Sequence, residues 1–466
     1  MMVERATTTA GLPEMAGARA LVYSLGIEGR DLARWLLAQG ASVTMADSRS
    51  VAQLKDASAT PPEGVERTVR GELLDPEGFD LLAVSQSVLR SNPNVVRARE
   101  LGIPVVSQMA LALRLCRGRV VGITGSSGKS TTTALVGAMA ERAGMEHLVG
   151  GNLGGSLLDR IEDFPETATV ILEMSHTQLQ YTDRSPAIAA VTNVTPNHLD
   201  QFSWPDYVDL KRSILRYQEA DGLAILNADD ETSRELRADV RGDLAEVSLA
   251  GPVAGDGAWL EGEDIVSRRG GAAETVADAG ALRMRGRHNV ANAVMAVAIG
   301  RAMDLRANAI ADALRQFPGL PHRLQVVGRA HGATWINDSI ATSPDRAVAA
   351  LEAVSEPAIL LLGGREKALP LDKLQDAARD RCRAAICFGE AATPFAEAMA
   401  GAVGTVARVE TLAEAVEAAA AIVQDGDAVL LSPAGTSFDG YPRFEARGDA
   451  FAALVAALEG FEEVSP

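Results

Sequence analysis

From about Ala20 to the C-terminus, short runs rich in Val, Ile and Leu alternate with amphipathic, Ala-rich segments. An apolar run of roughly four to eight residues suits a strand buried on both faces, and the helical segment that follows covers one of them. The repeat therefore specifies an α/β fold of parallel sheets flanked by helices. At 466 residues the chain exceeds one compact core, and roughly 150 residues per domain suggests about three domains.

The first strand–helix–strand unit runs through ALVYSLG (Ala20–Gly26), a helix near Asp31–Gln39 and SVTMAD (Ser42–Asp47). It reads as a nucleotide-type unit. A second series opens with RVVGI (Arg119–Ile123) and continues through TVILE (Thr169–Glu173), IAAVTNV (Ile188–Val194) and GLAILN (Gly222–Asn227). Between about Leu244 and Arg285 the pattern weakens and becomes Gly-rich, which predicts irregular or short antiparallel structure, before a helix over Asn289–Met303. FPGLPHR (Phe317–Arg323) punctuates the chain. A third series then includes TWIND (Thr334–Asp338), AILLLGG (Ala358–Gly364) and AVLLSPA (Ala428–Ala434). The expected domains are 1–115, 116–318 and 319–466.

A net charge of −18 disfavours a nucleic-acid partner, because no basic patch offsets it. Cys116, Cys382 and Cys387 show no paired spacing and no neighbouring His cluster, so neither a disulfide framework nor structural zinc is expected. The start, MMVERATTTAGLPEMAG, has no apolar stretch fit for export, and no apolar run reaches the roughly 18 residues of a membrane span. A cytoplasmic protein without membrane insertion is the expectation, and a monomer suffices for it.

The segment VVGITGSSGKSTTTALVGAMA (Val120–Ala140) is a buried strand, a Gly/Ser-rich turn and a helix opening at lysine. Backbone N–H groups of Gly125, Ser126, Ser127 and Gly128 can converge on phosphate oxygens, with the helix N-terminus adding positive potential. Lys129 neutralises charge, Thr131 follows on the helix, and the Ser130 hydroxyl can ligate Mg²⁺. Ile123 stands where the standard loop has its first glycine, so the loop is a shortened form. A plain helix-capping turn is the alternative reading of the same residues.

The short form TGSSGKST is also that of Mur ligases and folylpolyglutamate synthases, and the chain resembles Mur ligases over nearly its whole length. The motifs GGNLG (Gly150–Gly154), LEMSHTQL (Leu172–Leu179), NVTPNHLD (Asn193–Asp200), GRHNVAN (Gly286–Asn292), GLPHR (Gly319–Arg323), NDSIATSP (Asn337–Pro344) and LLSPAGTSFDGYPRFEARG (Leu430–Gly448) carry the likeness, in family order. The resemblance implies a Rossmann-like N-terminal domain for a UDP-linked substrate, a central ATPase-like parallel sheet, and a Rossmann-like C-terminal domain for the amino acid. It implies ATP and Mg²⁺ as cofactors, and nucleotide-linked muramoyl-alanine and glutamate as the partners joined through an acyl phosphate.

Residue by residue, the same resemblance makes Glu173 and His198 metal ligands beside Ser130, and Lys211, four residues after Tyr207, a carbamylated metal bridge. A carbamate reverses the charge of an ammonium and offers oxygen ligands to magnesium. Lys129 joins these three in carrying the chemistry. Asn289 and Asn292 match asparagines at the adenine end of ATP, while Arg323 and Asp338 match residues that close onto the nucleotide. Ile27, Glu28, Asp47, Ser48 and Arg49 fall in the uridine site, and Asn152, Ser175 and Gln178 hold the muramoyl-alanine portion. Thr342, Lys367, Ser437, Phe438 and Phe444 match the glutamate pocket.

Three positions depart from the family pattern. Ser127 replaces Asn in the phosphate loop, SQSV (Ser85–Val88) stands where Ser-Pro-Gly is usual, and Ile340 occupies a position where lysine is common. The rival readings are a ligase for L-glutamate or for another step of the same pathway, a non-catalytic nucleotide-binding sensor, and a dinucleotide-dependent oxidoreductase. The last is suggested only by SLGIEG (Ser24–Gly29), which lacks the first fingerprint glycine.

Overall fold

A computed structural model of the chain describes residues 12, 14–50, 53, 60–153, 156–161, 164–199 and 201–463. Residues 1–11, Gly154 and Asp200, which entered the readings of the start of the chain, GGNLG and NVTPNHLD, lie outside the described residues. The fold is α/β, with its strands in three sheets.

The first sheet holds β1 (Arg19–Tyr23), β2 (Ser42–Asp47), β3 (Arg67–Arg70), β4 (Leu81–Val84) and β5 (Val105–Ser107), in the order β3-β2-β1-β4-β5 and parallel throughout. The second holds β6 (Arg119–Thr124), β7 (His147–Gly151), β8 (Thr169–Glu173), β9 (Ile188–Val191), β10 (Leu223–Asn227), β11 (Asp243–Ser248), β12 (Asp256–Glu261), β13 (Asp264–Arg268) and β14 (Glu274–Asp278). Its order is β14-β13-β12-β11-β10-β9-β6-β8-β7. The third comprises β15 (Gln325–Ala330), β16 (Ala333–Asn337), β17 (Ala358–Gly363), β18 (Cys382–Phe388), β19 (Thr405–Arg408), β20 (Ala428–Ala434) and β21 (Glu462–Glu463), ordered β19-β18-β17-β20-β16-β15-β21.

Each sheet reverses its strand order beside a strand that carries a motif. These reversals lie between β1 and β4, at β6 between β8 and β9, and between β17 and β20. Crevices outside the carboxyl ends of strands at such points are where open α/β sheets bind ligands.

SVTMAD, TVILE and AVLLSPA form strands over the expected residues. IAAVTNV stops as a strand at Val191, because Thr192 and Asn193 turn their polar groups to the phosphate loop instead of continuing the ladder. The Gly-rich stretch after Leu244 is more regular than expected. It supplies β11 and β12, which continue the parallel sheet, and then β13 and β14, which pair antiparallel out to the sheet edge. Edge hairpins tolerate one solvated face, so their apolar signal is weaker than that of the central strands. The helix placed over Asn289–Met303 begins earlier and runs Arg287–Ala302.

The described chain forms two compact units, 1–280 with 291–314, and 281–290 with 315–466. In the second, the alternating side chains of β17 and β20 bury both faces of the sheet: Leu360, Leu362 and Leu430 on one, Ile359, Leu361, Val429 and Leu431 on the other. In the first, a buried carboxylate ties the first sheet to the second. Asp31, on the helix Ile27–Ala38, accepts from Gln108 Nε2 at 2.5 Å and from the backbone N–H groups of Leu157 and Leu158, both at 3.0 Å. Ser156 Oγ and Arg34 also donate to it. A buried charge of this kind is stable only because donors surround it. No helix among the described residues is long and apolar enough to cross a membrane, and all three cysteines are free thiols.

Candidate active site

The helix Lys129–Arg142 begins directly after a loop that leaves β6 at Thr124. Gly125 has φ +148° and Gly128 φ +80°, conformations that L side chains rarely adopt. Space is closed as well: a Cβ on Gly125 would fall 1.9 Å from Thr192 Oγ1, and one on Gly128 2.2 Å from Asn292 Oδ1. The residues after β9 brace the loop. Ser126 N donates to Asn193 O at 2.8 Å, Ser127 N to Asn193 Oδ1 at 3.0 Å, and Thr192 Oγ1 to Ser127 O at 2.6 Å. Thus Thr192 and Asn193 hold the phosphate loop from behind, and Ser127 is fixed through its backbone.

Lys129 Nζ folds back onto the loop, donating to Gly125 O at 2.8 Å and Ser126 O at 3.1 Å. Ser130 is half-buried and Thr131 buried in the first helical turn. Lys211, on the helix Trp204–Arg216, lies fully buried beneath the loop. Its Nζ donates to Gly125 O at 2.8 Å and to Thr124 Oγ1 at 3.1 Å. Burial, reinforced by the charge of Lys129, pulls its amine well below the usual lysine range, against the opposing influence of Glu173. The uncharged amine is the form that can add carbon dioxide.

Glu173 ends β8, next to β6, and is buried. Its Oε1 accepts from Asn152 Nδ2 at 3.0 Å, whereas its Oε2 is buried without a hydrogen-bond partner. A carboxylate oxygen in that state is matched to a cation. His198 is exposed, has φ +55°, and packs against His176 with the rings tilted by 31° and their centroids 4.4 Å apart. Among the described residues no group of three or more His, Cys, Asp and Glu side chains could hold a metal. A divalent ion here would need few protein ligands supplemented by phosphate oxygens, the habit of Mg²⁺. The unpartnered oxygen of Glu173 is one acceptor such an ion could use.

A cavity of about 800 Å³ opens at the carboxyl ends of β1, β2 and β4. Ile27, Glu28, Asp47, Ser48 and Arg49 all line it, together with Ser85–Val88. Sequence reasoning did not single out Leu73, Asn92 or Pro93, which also line it and lie outside the motifs. Burial drives the Asp47 carboxyl up, but bonds from the Arg49 side chain and the Leu25 and Arg49 amides outweigh it, leaving the group below the ordinary aspartate value. Asp47 therefore holds Arg49 in place, through contacts of 2.9 Å and 2.7 Å. Glu28 is shifted upward by burial, against hydrogen bonds from Gln86 and Gln178. Ser175 and Gln178 are buried and form the capping box of the short helix His176–Leu179.

In the second unit, Thr342, Lys367, Ser437 and Phe438 occupy the loops after β16, β17 and β20, and an exchange of backbone hydrogen bonds between Arg365 and Thr436, both 2.8 Å, joins two of them. Phe438 is 63% exposed, a large apolar surface left open beside buried Ser437. Phe444 opens the helix Phe444–Ala456, which also carries fully buried Arg447. That guanidinium donates to Ser339 Oγ, Ser339 O and Gly435 O at 3.0, 2.9 and 3.1 Å. It clamps the loops on either side, and the motif RFEARG was its only sequence signal. Asp338 is buried, accepts from Ser432 Oγ at 3.0 Å and Leu324 N at 3.2 Å, and is pushed by burial up to about 7, with Arg323 among the groups opposing the shift. Asn292 sits against Gly128 at the phosphate loop. Asn289 is the third residue of its helix, and its Nδ2 donates to Arg285 O at 2.7 Å.

Residues 123–300 match the Mur ligase middle domain, and residues 322–435 match the Mur ligase glutamate ligase domain. The UDP-N-acetylmuramoylalanine–D-glutamate ligase of Symbiobacterium thermophilum is 38% identical over 94% of this chain and 98% of its own length. The chain belongs to the Mur ligase family. The ligase of the same name from Pelotomaculum thermopropionicum is 35% identical over 96% of this chain and 99% of its own. Two solved Mur ligases share the fold. They are the UDP-N-acetylmuramate-alanine ligase MurC of Thermotoga maritima, at TM-score 0.57 and 17% identity over 94% of this chain and 98% of that one, and the UDP-N-acetylmuramoylalanyl-D-glutamyl-2,6-diaminopimelate–D-alanyl-D-alanyl ligase of Acinetobacter baumannii, at 0.58 and 18% over 96% and 92%.

For this Mur ligase, the closed space around Gly125 makes a direct prediction. The forced φ of a side chain at +148° costs about 1–3 kcal/mol before any clash is counted. Gly125→Ala should therefore raise the KM for ATP by at least about tenfold. Steady-state kinetics with each substrate varied in turn should leave the KM of the nucleotide-linked substrate unchanged.

Proposed function

We propose that this Mur ligase joins D-glutamate to nucleotide-linked muramoyl-L-alanine at the expense of ATP, a step of peptidoglycan precursor synthesis in the cytoplasm, and that it acts as a monomer. The observation that carries the reading is the convergence of Lys129, Lys211 and Glu173 on one sheet edge around a braced phosphate loop. Near-complete coverage by D-glutamate ligases at 33–38% identity supports the choice of substrates.

In the proposed reaction the α-carboxylate of the alanyl group attacks the γ-phosphorus of ATP, and the bond to the β-phosphate oxygen breaks to release ADP. The glutamate amine then attacks the acyl carbon, loses a proton and expels inorganic phosphate. Lys129 and the loop N–H groups stabilise charge spreading over the transferred phosphoryl group. Magnesium would neutralise phosphate charge, with Ser130, Glu173, His198 and a carbamate on Lys211 as its protein ligands. Residues 1–115 would bind the uridine end through Ile27, Glu28, Asp47, Ser48 and Arg49, with Asn152, Ser175 and Gln178 on the muramoyl-alanine portion. Residues 116–318 would hold ATP, with Asn289 and Asn292 toward its adenine. Residues 319–466 would supply Thr342, Lys367, Ser437, Phe438 and Phe444 for glutamate, and Arg323 and Asp338 for the nucleotide.

The test is phosphate release in the presence of ATP, Mg²⁺ and the nucleotide-linked substrate, with D- and L-glutamate offered separately. Release with D-glutamate at a rate at least about tenfold above that with L-glutamate is expected. Turnover with L-glutamate alone would transfer the assignment to the ligase of opposite stereochemistry, with Ile340 the first residue to examine.

A further inference from the structure

The SQSV departure acquires a role in the first unit. Gln86 lines the cavity beside Glu28, and its backbone N–H donates to Glu28 Oε2 at 2.7 Å, a bond that proline cannot make. Its side-chain Oε1 accepts from Ser175 Oγ at 2.8 Å and from Thr177 Oγ1 at 2.9 Å. Its backbone carbonyl accepts from Gln180 Nε2 at 3.3 Å. The other Glu28 oxygen, Oε1, accepts from Gln178 Nε2 at 3.1 Å, and Gln178 N donates to Ser175 Oγ at 3.2 Å. Gln86, Glu28, Gln178 and Ser175 thus close a ring of hydrogen bonds. One side of the ring faces the cavity, and the other is the turn that follows Glu173 at the end of β8.

A substrate held by its nucleotide end reacts at its far end, so remote binding energy must be converted into orientation. A ring that fixes the Ser175–Gln178 turn relative to the cavity does this without touching the reacting atoms. We propose that Gln86 is a positioning residue, which sets the Ser175–Gln178 turn and the Glu28 carboxylate so that a substrate bound in the cavity presents its carboxylate to the phosphate loop. The inference rests on the ligase reading above.

Gln86→Ala removes the side-chain acceptor and keeps the N–H, whereas Gln86→Pro removes both. Steady-state kinetics of the full chain, with nucleotide-linked muramoyl-alanine varied at saturating ATP and glutamate, separate the two. Gln86→Ala is expected to lower kcat by about tenfold with the nucleotide KM within about threefold of wild type. Gln86→Pro should add a rise in that KM, because Glu28 loses its amide partner. Thr177→Val, which removes one donor to Oε1, should lower kcat by about threefold and serves if either glutamine variant misfolds. Wild-type kcat in Gln86→Ala or in Thr177→Val overturns the proposal. So does a parallel change in the KM values of all three substrates with a fall in melting temperature, the mark of a merely structural residue. If wild type itself fails to turn over nucleotide-linked muramoyl-alanine, the ligase reading falls; an active wild type with unaffected variants removes only the positioning role.

Discussion

Lys129→Met should reduce ligation by at least about a thousandfold, the scale on which removing a charge aimed at a transferring phosphoryl group is felt. The lysine opens its helix and rests on two carbonyls of the phosphate loop. In the proposed reaction those contacts keep the ammonium at the loop that would meet γ-phosphate charge, so its value would be realised mostly in the transition state. The loss should appear in kcat more than in KM for the nucleotide-linked substrate, for which the cavity on the first sheet is the proposed site. Methionine keeps the length and much of the apolar stem, so the melting temperature should change little. Activity within tenfold of wild type would remove Lys129 from the chemistry.

Lys211→Ala should cost at least about a hundredfold in the same assay. Its amine is fully buried and reaches the same Gly125 carbonyl that the Lys129 ammonium uses. Two ammonium groups there would repel, which favours the neutral amine on Lys211 and the carbamate it can become. Protein equilibrated with ¹³C-labelled bicarbonate should therefore show a carbamate carbon by NMR that Lys211→Ala lacks. An alanine variant that keeps full activity would end the proposed role, and an inactive variant of a wild type without the carbamate signal would reduce Lys211 to a support of the loop.

The sequence makes the central strands and the phosphate loop legible because both have local causes. TVILE and AVLLSPA are continuous apolar runs, and Gly125 and Gly128 sit where the backbone admits no side chain. The edge strands after Leu244 were harder to see, since their period is diluted by a solvated face. The cavity residues from Ile27 to Arg49 were legible from motif position, but Leu73, Asn92 and Pro93 reach it only through the fold. Arg447 and Gln86 lay inside segments that the sequence marks, but their individual roles were not legible, for a related reason. Their meaning lies in partners distant along the chain, Ser339 for one and Ser175 for the other.

Asp31 sets the smallest part that can be exchanged between relatives. A chimera that transplants only the first sheet would carry this buried carboxylate away from Ser156, Leu157 and Leu158, or leave their N–H and hydroxyl groups facing a foreign side chain. Grafts intended to change nucleotide preference would have to move the 156–158 loop with the sheet, or take residues 1–280 as a block. The modularity suggested by three sheets is therefore coarser in practice, with the first two inherited together.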